Sequence, residues 1–161
     1  MGTESIIARK TREGFIGTSH YWDGYPSGVG QLVAQGFKNG GWNYLNAVLA
    51  HNWSSLFHNE CYCCETKTDL GEDPGKINHS YAKEEFVPYT HETECEAEFA
   101  YVFEHESEKE TDFMHIYLKA SVEGEWKIAE TIDLGVRFPD FRELQRSLWE
   151  TLKEIEERKD S

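Results

Sequence analysis

Basic residues are scarce in this chain, and long apolar runs are missing from it. Sixteen Lys and Arg stand against thirty Asp and Glu in 161 residues, a formal charge of −14. Surfaces that neutralise nucleic-acid phosphates or anionic lipid headgroups need the opposite balance, so neither direct nucleic-acid binding nor membrane binding is expected. No stretch approaches the roughly 18 apolar residues of a membrane span, and no cationic-then-apolar leader opens the chain. A cytoplasmic protein is therefore expected. Myristoylation is not, because Ile6 stands where that signal wants Ser or Thr after Met1-Gly2. Also lacking are a Gly-Lys-Ser/Thr phosphate loop, a dinucleotide fingerprint and a Gly-x-Ser-x-Gly nucleophile elbow. Neither an internal repeat nor a linker divides the chain.

Aromatic residues, by contrast, are plentiful. They make up 14% of the chain, with five Trp and eight Tyr, and hydrophobic residues make up 39%. At this length that composition predicts one globular domain over 1–161, with an irregular acidic stretch at 59–98. The charge is unevenly spread. Residues 1–58 hold four basic and three acidic side chains, and the remainder holds twelve and twenty-seven. The densest part, Glu60 to Asp112, sets sixteen acidic residues against four lysines. Such a surface keeps a small protein soluble, and it also suits a partner protein with a basic surface. Glu92, Glu94, Glu96 and Glu98, which alternate with less polar residues, are the candidate partner-binding residues.

Local patterns predict an α+β fold, an antiparallel sheet of about five strands with helices on one face. Ser5 to Arg9 and Phe15 to Tyr21 read as strands around a Thr11–Gly14 turn. Leu32, Val33 and Phe37 mark a helix that fails near Asn39-Gly40-Gly41, and a second helix runs from Trp42 to near Leu56-Phe57, with Leu45, Val48, Leu49, Asn52 and Trp53 at helical spacing. Asp69 to Gly75 is rich in turn formers and predicts an exposed loop. Residues 92–98 fit a strand with one charged face or a helix. Phe99, Tyr101 and Phe103 alternate as in a half-buried strand, Glu104 to Asp112 forms a loop, and Phe113 to Ala120 and the Trp126–Ile128 segment complete a meander. Asp140 and Glu143 have capping-box spacing. Phe141, Leu144, Leu148, Leu152 and Ile155 then form one apolar helical stripe.

Two segments, Met1 to Ile7 and Tyr21 to Gly30, carry a resemblance. They are similar to a family of uncharacterised phage and bacterial proteins that open with Met-Gly-Thr-Arg-Ser-Leu-Ile and carry His-Trp-Asp-Gly-Tyr-Pro-x-Gly-Val-Gly after the first hairpin. The strand Ala97 to Phe103 looks like a later strand of that family. Glu4 stands where the family usually has Arg, and Tyr21 where it usually has His. The resemblance implies a phage or mobile-element setting, in which small acidic proteins often bind host machinery.

Two constellations carry candidate chemistry. In the loop at 20–30, Tyr21, Trp22 and Tyr25 offer faces for stacking, and His20 and Asp23 offer titratable groups. Ser27, Gly28 and Gly30 lead into a helix whose free N–H groups suit an anion. Together these eight residues would suit a nucleotide-like small molecule. The same segment also reads as a turn whose aromatic residues fill core. Secondly, the four cysteines read as plain reduced thiols without a cofactor, as disulfides, or as part of a tetrahedral zinc site of His58, Cys61 (or Cys63), His91 and Cys95. The leading functional expectation is a non-enzymatic acidic protein that binds, and inhibits, a host protein. A nucleotide-like binding module at 20–30 is the alternative, and a hydrolase working through His20 and Asp23 the third reading.

Overall fold

The fold begins at the Thr11–Gly14 turn, where Thr11 N–H donates to the Gly14 carbonyl (2.9 Å) and Gly14 N–H to the Thr11 hydroxyl (3.0 Å). These bonds close an antiparallel hairpin of β1 (Ser5–Lys10) and β2 (Phe15–His20), paired from Ser5↔His20 to Lys10↔Phe15. The computed structural model describes residues 3–58, 60–61, 88–119 and 124–159. The turn-rich segment 69–75 lies outside them.

After the hairpin the chain passes through a π-helical turn at Pro26–Gly30 into α1 (Gln31–Val48). Gly41 breaks α1 with φ 60° and ψ −148°, a conformation that suits glycine, so the failure and restart expected at Asn39–Trp42 are a kink within one element. The helix ends at Val48, short of the expected Leu56-Phe57, because Trp53 pairs with His20 as a sheet residue. Then come β3 (Trp53–Ser55), β4 (Glu60–Cys61), β5 (Tyr89–Thr90), β6 (Phe99–Glu106), β7 (Thr111–Leu118), β8 (Lys127–Asp133) and α2 (Phe141–Lys159). β6 and β7 run further than expected into the polar stretch, which shrinks to a tight turn at 107–110.

The class is α+β as expected, but the sheet is larger than five strands and mixed rather than antiparallel. Its order is β4-β3-β2-β1-β6-β7-β8, with β5 also on β2. β1 lies parallel to β6 and β2 parallel to β3. The physical reason is connectivity. Between β2 and β3 the chain makes a helical crossover, which returns it in the same direction. The edge of β1 that β2 leaves unpaired receives β6 from far along the sequence.

Both helices pack on one face of the sheet. There Ile7, Phe99, Tyr101, Phe103, Met114, Ile116 and Leu118 meet Val33, Phe37, Leu45 and Val48 of α1 and Phe141, Leu148 and Leu152 of α2. The cap at Asp140 is formed, its Oδ1 accepting from Arg142 N–H at 2.9 Å and Glu143 N–H at 3.4 Å. The side chain of Ile155, the last residue of the predicted stripe, lies outside the described residues. The opposite face carries a second cluster, Ile6, Ala8, Phe15, Ala97, Ala100, Val102 and Tyr117, with Tyr89, Cys95 and Trp126 against it. Phe99 to Phe103 are consequently buried on both faces, not half-buried.

Candidate functional site

The loop at 20–30 is clamped by three parts of the fold. Gly24 N–H donates to the Thr3 carbonyl (2.7 Å), the buried Tyr101 hydroxyl donates to the Gly24 carbonyl (2.6 Å), and Ser27 N–H donates to Gln145 Oε1 on α2 (2.7 Å). Tyr21 and Trp22 N–H bind carbonyls of Trp53 and Ser54. Within the loop, Asp23 adopts φ 55° and its carbonyl accepts from Val29 N–H, while Gly28 and Gly30 N–H turn to the Tyr25 carbonyl. The N–H groups of residues 27–30, expected to hold an anion, are thus all engaged within the chain.

His20 is fully buried, with Nε2 accepting from Leu56 N–H at 2.8 Å. Burial pushes its pKa down to about 4, opposed in part by the Trp22 backbone and the Asp23 charge. Nδ1 is buried and has no hydrogen-bond partner among the described residues. A neutral imidazole sealed from solvent holds the start of the 3₁₀ turn at Leu56–His58 and reaches no substrate, so the hydrolase reading loses its base. Gly28 and Gly30 are buried, and Tyr25 and Ser27 half-buried. What the loop offers to solvent is Asp23 with Tyr21 (46% exposed) and Trp22 (42%), whose rings meet edge-on at 4.8 Å.

A cleft of about 620 Å³ opens on the opposite face of the sheet from the helices. Its floor is aromatic, for the Phe15 ring stands edge-on to Tyr117 (5.3 Å), Trp126 (5.7 Å) and His91 (5.9 Å). Glu13, Glu92, Glu94 and Glu125 surround it, with Lys10 and Lys119 also lining it. The segment bearing Glu92, Glu94, Glu96 and Glu98 is neither strand nor helix. It runs across the second face in irregular form, with those four residues exposed and Thr93, Cys95 and Ala97 turned inward. The alternation follows from chemistry: ionised carboxylates stay in water while Cys95 and Ala97 pack on the sheet. Glu4 extends the acidic stretch. Burial raises its pKa and the Glu96 charge raises it further, against the Lys119 ammonium.

The zinc candidates divide. The side chains of His58 and Cys61, and residues 63 and 64, lie outside the described residues. His91 Nδ1 accepts from Phe15 N–H at 3.3 Å, and Cys95 Sγ lies 3.8 Å from Lys119 Nζ. Among the described residues no group of three or more His, Cys, Asp or Glu side chains is placed to hold a metal. Likewise, among them no helix is long and apolar enough to cross a membrane. His115 is packed, its nitrogens bonded to Thr131 (2.8 Å) and Glu104 (3.0 Å), whereas His105 is exposed against Asp112 (2.8 Å).

Sequence reasoning missed the cleft because its walls come from four separated segments. Phe15, Tyr117, Lys119 and Trp126 read only as strand residues. Compared with protein-family models, curated proteins and solved structures, the chain matches none.

Proposed function

We propose that this protein is a non-enzymatic binding protein whose acidic, aromatic-floored cleft receives a basic side chain of a partner protein. The observation that carries the reading is the pairing of a Phe15–Tyr117–Trp126 floor with a rim of Glu13, Glu92, Glu94 and Glu125. Carboxylates around the entrance attract and hydrogen-bond an ammonium or guanidinium group, whose apolar stem packs on the floor beside Lys119, which already sits 4.8 Å over the Trp126 ring. The wider acidic segment to Glu98 and Glu4 would steer a basic surface towards the cleft and set its orientation. In this reading the partner comes from a host cell, as the phage resemblance of the sequence implies. Occupying that partner's basic surface would inhibit it, and would compete with nucleic acid where that surface normally binds it.

Titration with an arginine-rich peptide tests the reading, with a glutamate-rich peptide of equal length as control. The basic peptide is expected to bind, more weakly as salt rises, and the control to be silent. Replacing two rim carboxylates together, Glu92→Gln with Glu94→Gln, should weaken binding about twofold to thirtyfold, as exposed charge pairs contribute about 0.2–1 kcal/mol each. Equal affinity for the two peptides, or an unaltered affinity in the double variant, would remove the proposal.

The exposed Tyr21–Trp22 pair favours a second reading, a stacking surface for a flat nucleotide-like ligand that uses the rings without an anion cradle. A nucleotide present at 100 times its dissociation constant should add about 2.7 kcal/mol of stability in a thermal-shift assay. Trp22→Ala should abolish the shift while leaving the unliganded melting temperature nearly unchanged. No shift across a nucleotide panel would end this reading.

A further inference from the structure

Lys119 is only 3% exposed, an unusual position for an ammonium group. Its Nζ donates to the Cys95 carbonyl (2.9 Å), lies 4.8 Å above the Trp126 ring, and approaches the Cys95 sulfur at 3.8 Å. The main chain holds this arrangement from both sides. Lys119 N–H is bonded to the Glu98 carbonyl (3.1 Å), while Cys95 is packed against the second-face cluster. A buried amine is thus presented to a partly exposed thiol on a segment outside the strand ladder, and Lys119 also lines the open cleft through which a small oxidant can enter.

We propose that this pair is an oxidative modification site, at which a hydroperoxide such as hydrogen peroxide joins Cys95 to Lys119 by a sulfur–nitrogen bond. In the first step the Cys95 sulfur attacks one peroxide oxygen and the O–O bond breaks. The sulfur is oxidised by two electrons to a sulfenic acid, and the peroxide is reduced, its other oxygen leaving as water. In the second step the Lys119 amine, having passed its ammonium proton to water, attacks the sulfur. The S–N bond forms, the S–O bond breaks, and the departing hydroxide takes a proton from nitrogen to leave as water. The product is a sulfenamide, two hydrogens lighter than the separate side chains. It consumes one peroxide and returns to thiol and amine with excess dithiothreitol.

Peptide mapping of the intact chain after graded hydrogen peroxide tests this. In the wild type, the peptide holding residue 95 should be joined to the one holding residue 119 at their summed mass less two hydrogens. Trypsin should fail to cleave after Lys119, and both signatures should vanish on reduction. Cys95→Ser should abolish the joined peptide. Lys119→Arg should abolish it too and raise dimedone labelling of Cys95 severalfold, because the sulfenic acid then has no amine to consume it. The wild-type map requires no variant, so an unstable Lys119→Arg chain leaves the test intact. Oxidation of Cys95 to sulfinic acid without a joined peptide, or its capture as a disulfide by another cysteine, overturns the proposal.

Discussion

Gly28→Ala is expected to cost about 3 kcal/mol or more of folding free energy, read from urea unfolding. A Cβ at Gly28 would overlap the Asp23 carbonyl oxygen and come within 3.0 and 3.2 Å of Tyr25 ring carbons. A ring can turn aside, but a backbone carbonyl cannot. That oxygen is already committed to Val29 N–H at 2.9 Å, and Asp23 already sits at φ 55°. Relief therefore requires the whole loop to shift, and with it the bonds that tie it to Thr3, Tyr101 and Gln145. Gly135→Ala is the control. There the new carbon would meet one side-chain oxygen of Asp133 at 3.3 Å, so the change should stay within about 0.5 kcal/mol. Equal effects of the two substitutions would show that the Asp23–Val29 turn does not fix the loop.

Lowering the pH from 7 to 4 is expected to cost the fold about 3 kcal/mol through His20 alone. Burial brings its pKa from 6.5 to about 4 in the folded chain. Below pH 6.5 the unfolded imidazole takes a proton that the folded one refuses, so protonation favours the unfolded state. The contribution is fully present above pH 6.5, falls away as pH drops towards 4, and is exhausted below that. Titratable carboxylates also change stability across this range, so the informative quantity is a difference. His20→Gln keeps an acceptor for Leu56 N–H without the titration, and unfolding free energies of the two chains should converge by about 3 kcal/mol between pH 7 and 4. Parallel profiles would contradict a buried, neutral His20.

Features of the fold set by neighbouring residues are legible in the sequence. The Thr11–Gly14 turn, the break at Gly41 and the Asp140 cap each depend on a few consecutive side chains, and each is found where expected. Strand order is not local. Nothing near Ile6 or Tyr101 announces that they lie on parallel neighbours, because that pairing is chosen by what the intervening chain can cover. The same holds for the candidate site. The aromatic loop drew notice because its residues are consecutive, but its N–H groups turned inward to Asp23, Tyr25 and Gln145. The cleft drew none, since Phe15, His91, Tyr117 and Trp126 converge only once four segments are assembled. Lys119 shows the limit most sharply, since a lysine at a strand end ordinarily reaches water, and only the Cys95 carbonyl and the Trp126 ring reveal why this one does not.

The place of β1 has a consequence for how the protein is made. β1 is an interior strand that leaves the ribosome well before its parallel neighbour β6, which begins about ninety residues later. At ordinary rates of translation the hairpin waits about 5 to 20 seconds for that neighbour. Throughout that interval β1 lacks its β6 neighbour, and Ile6 and Ala8 lack the second-face residues Ala97, Ala100, Val102 and Tyr117 that later enclose them. The nascent chain is therefore most open to chaperone capture, or to pairing with another copy, just before Phe99 to Phe103 emerge.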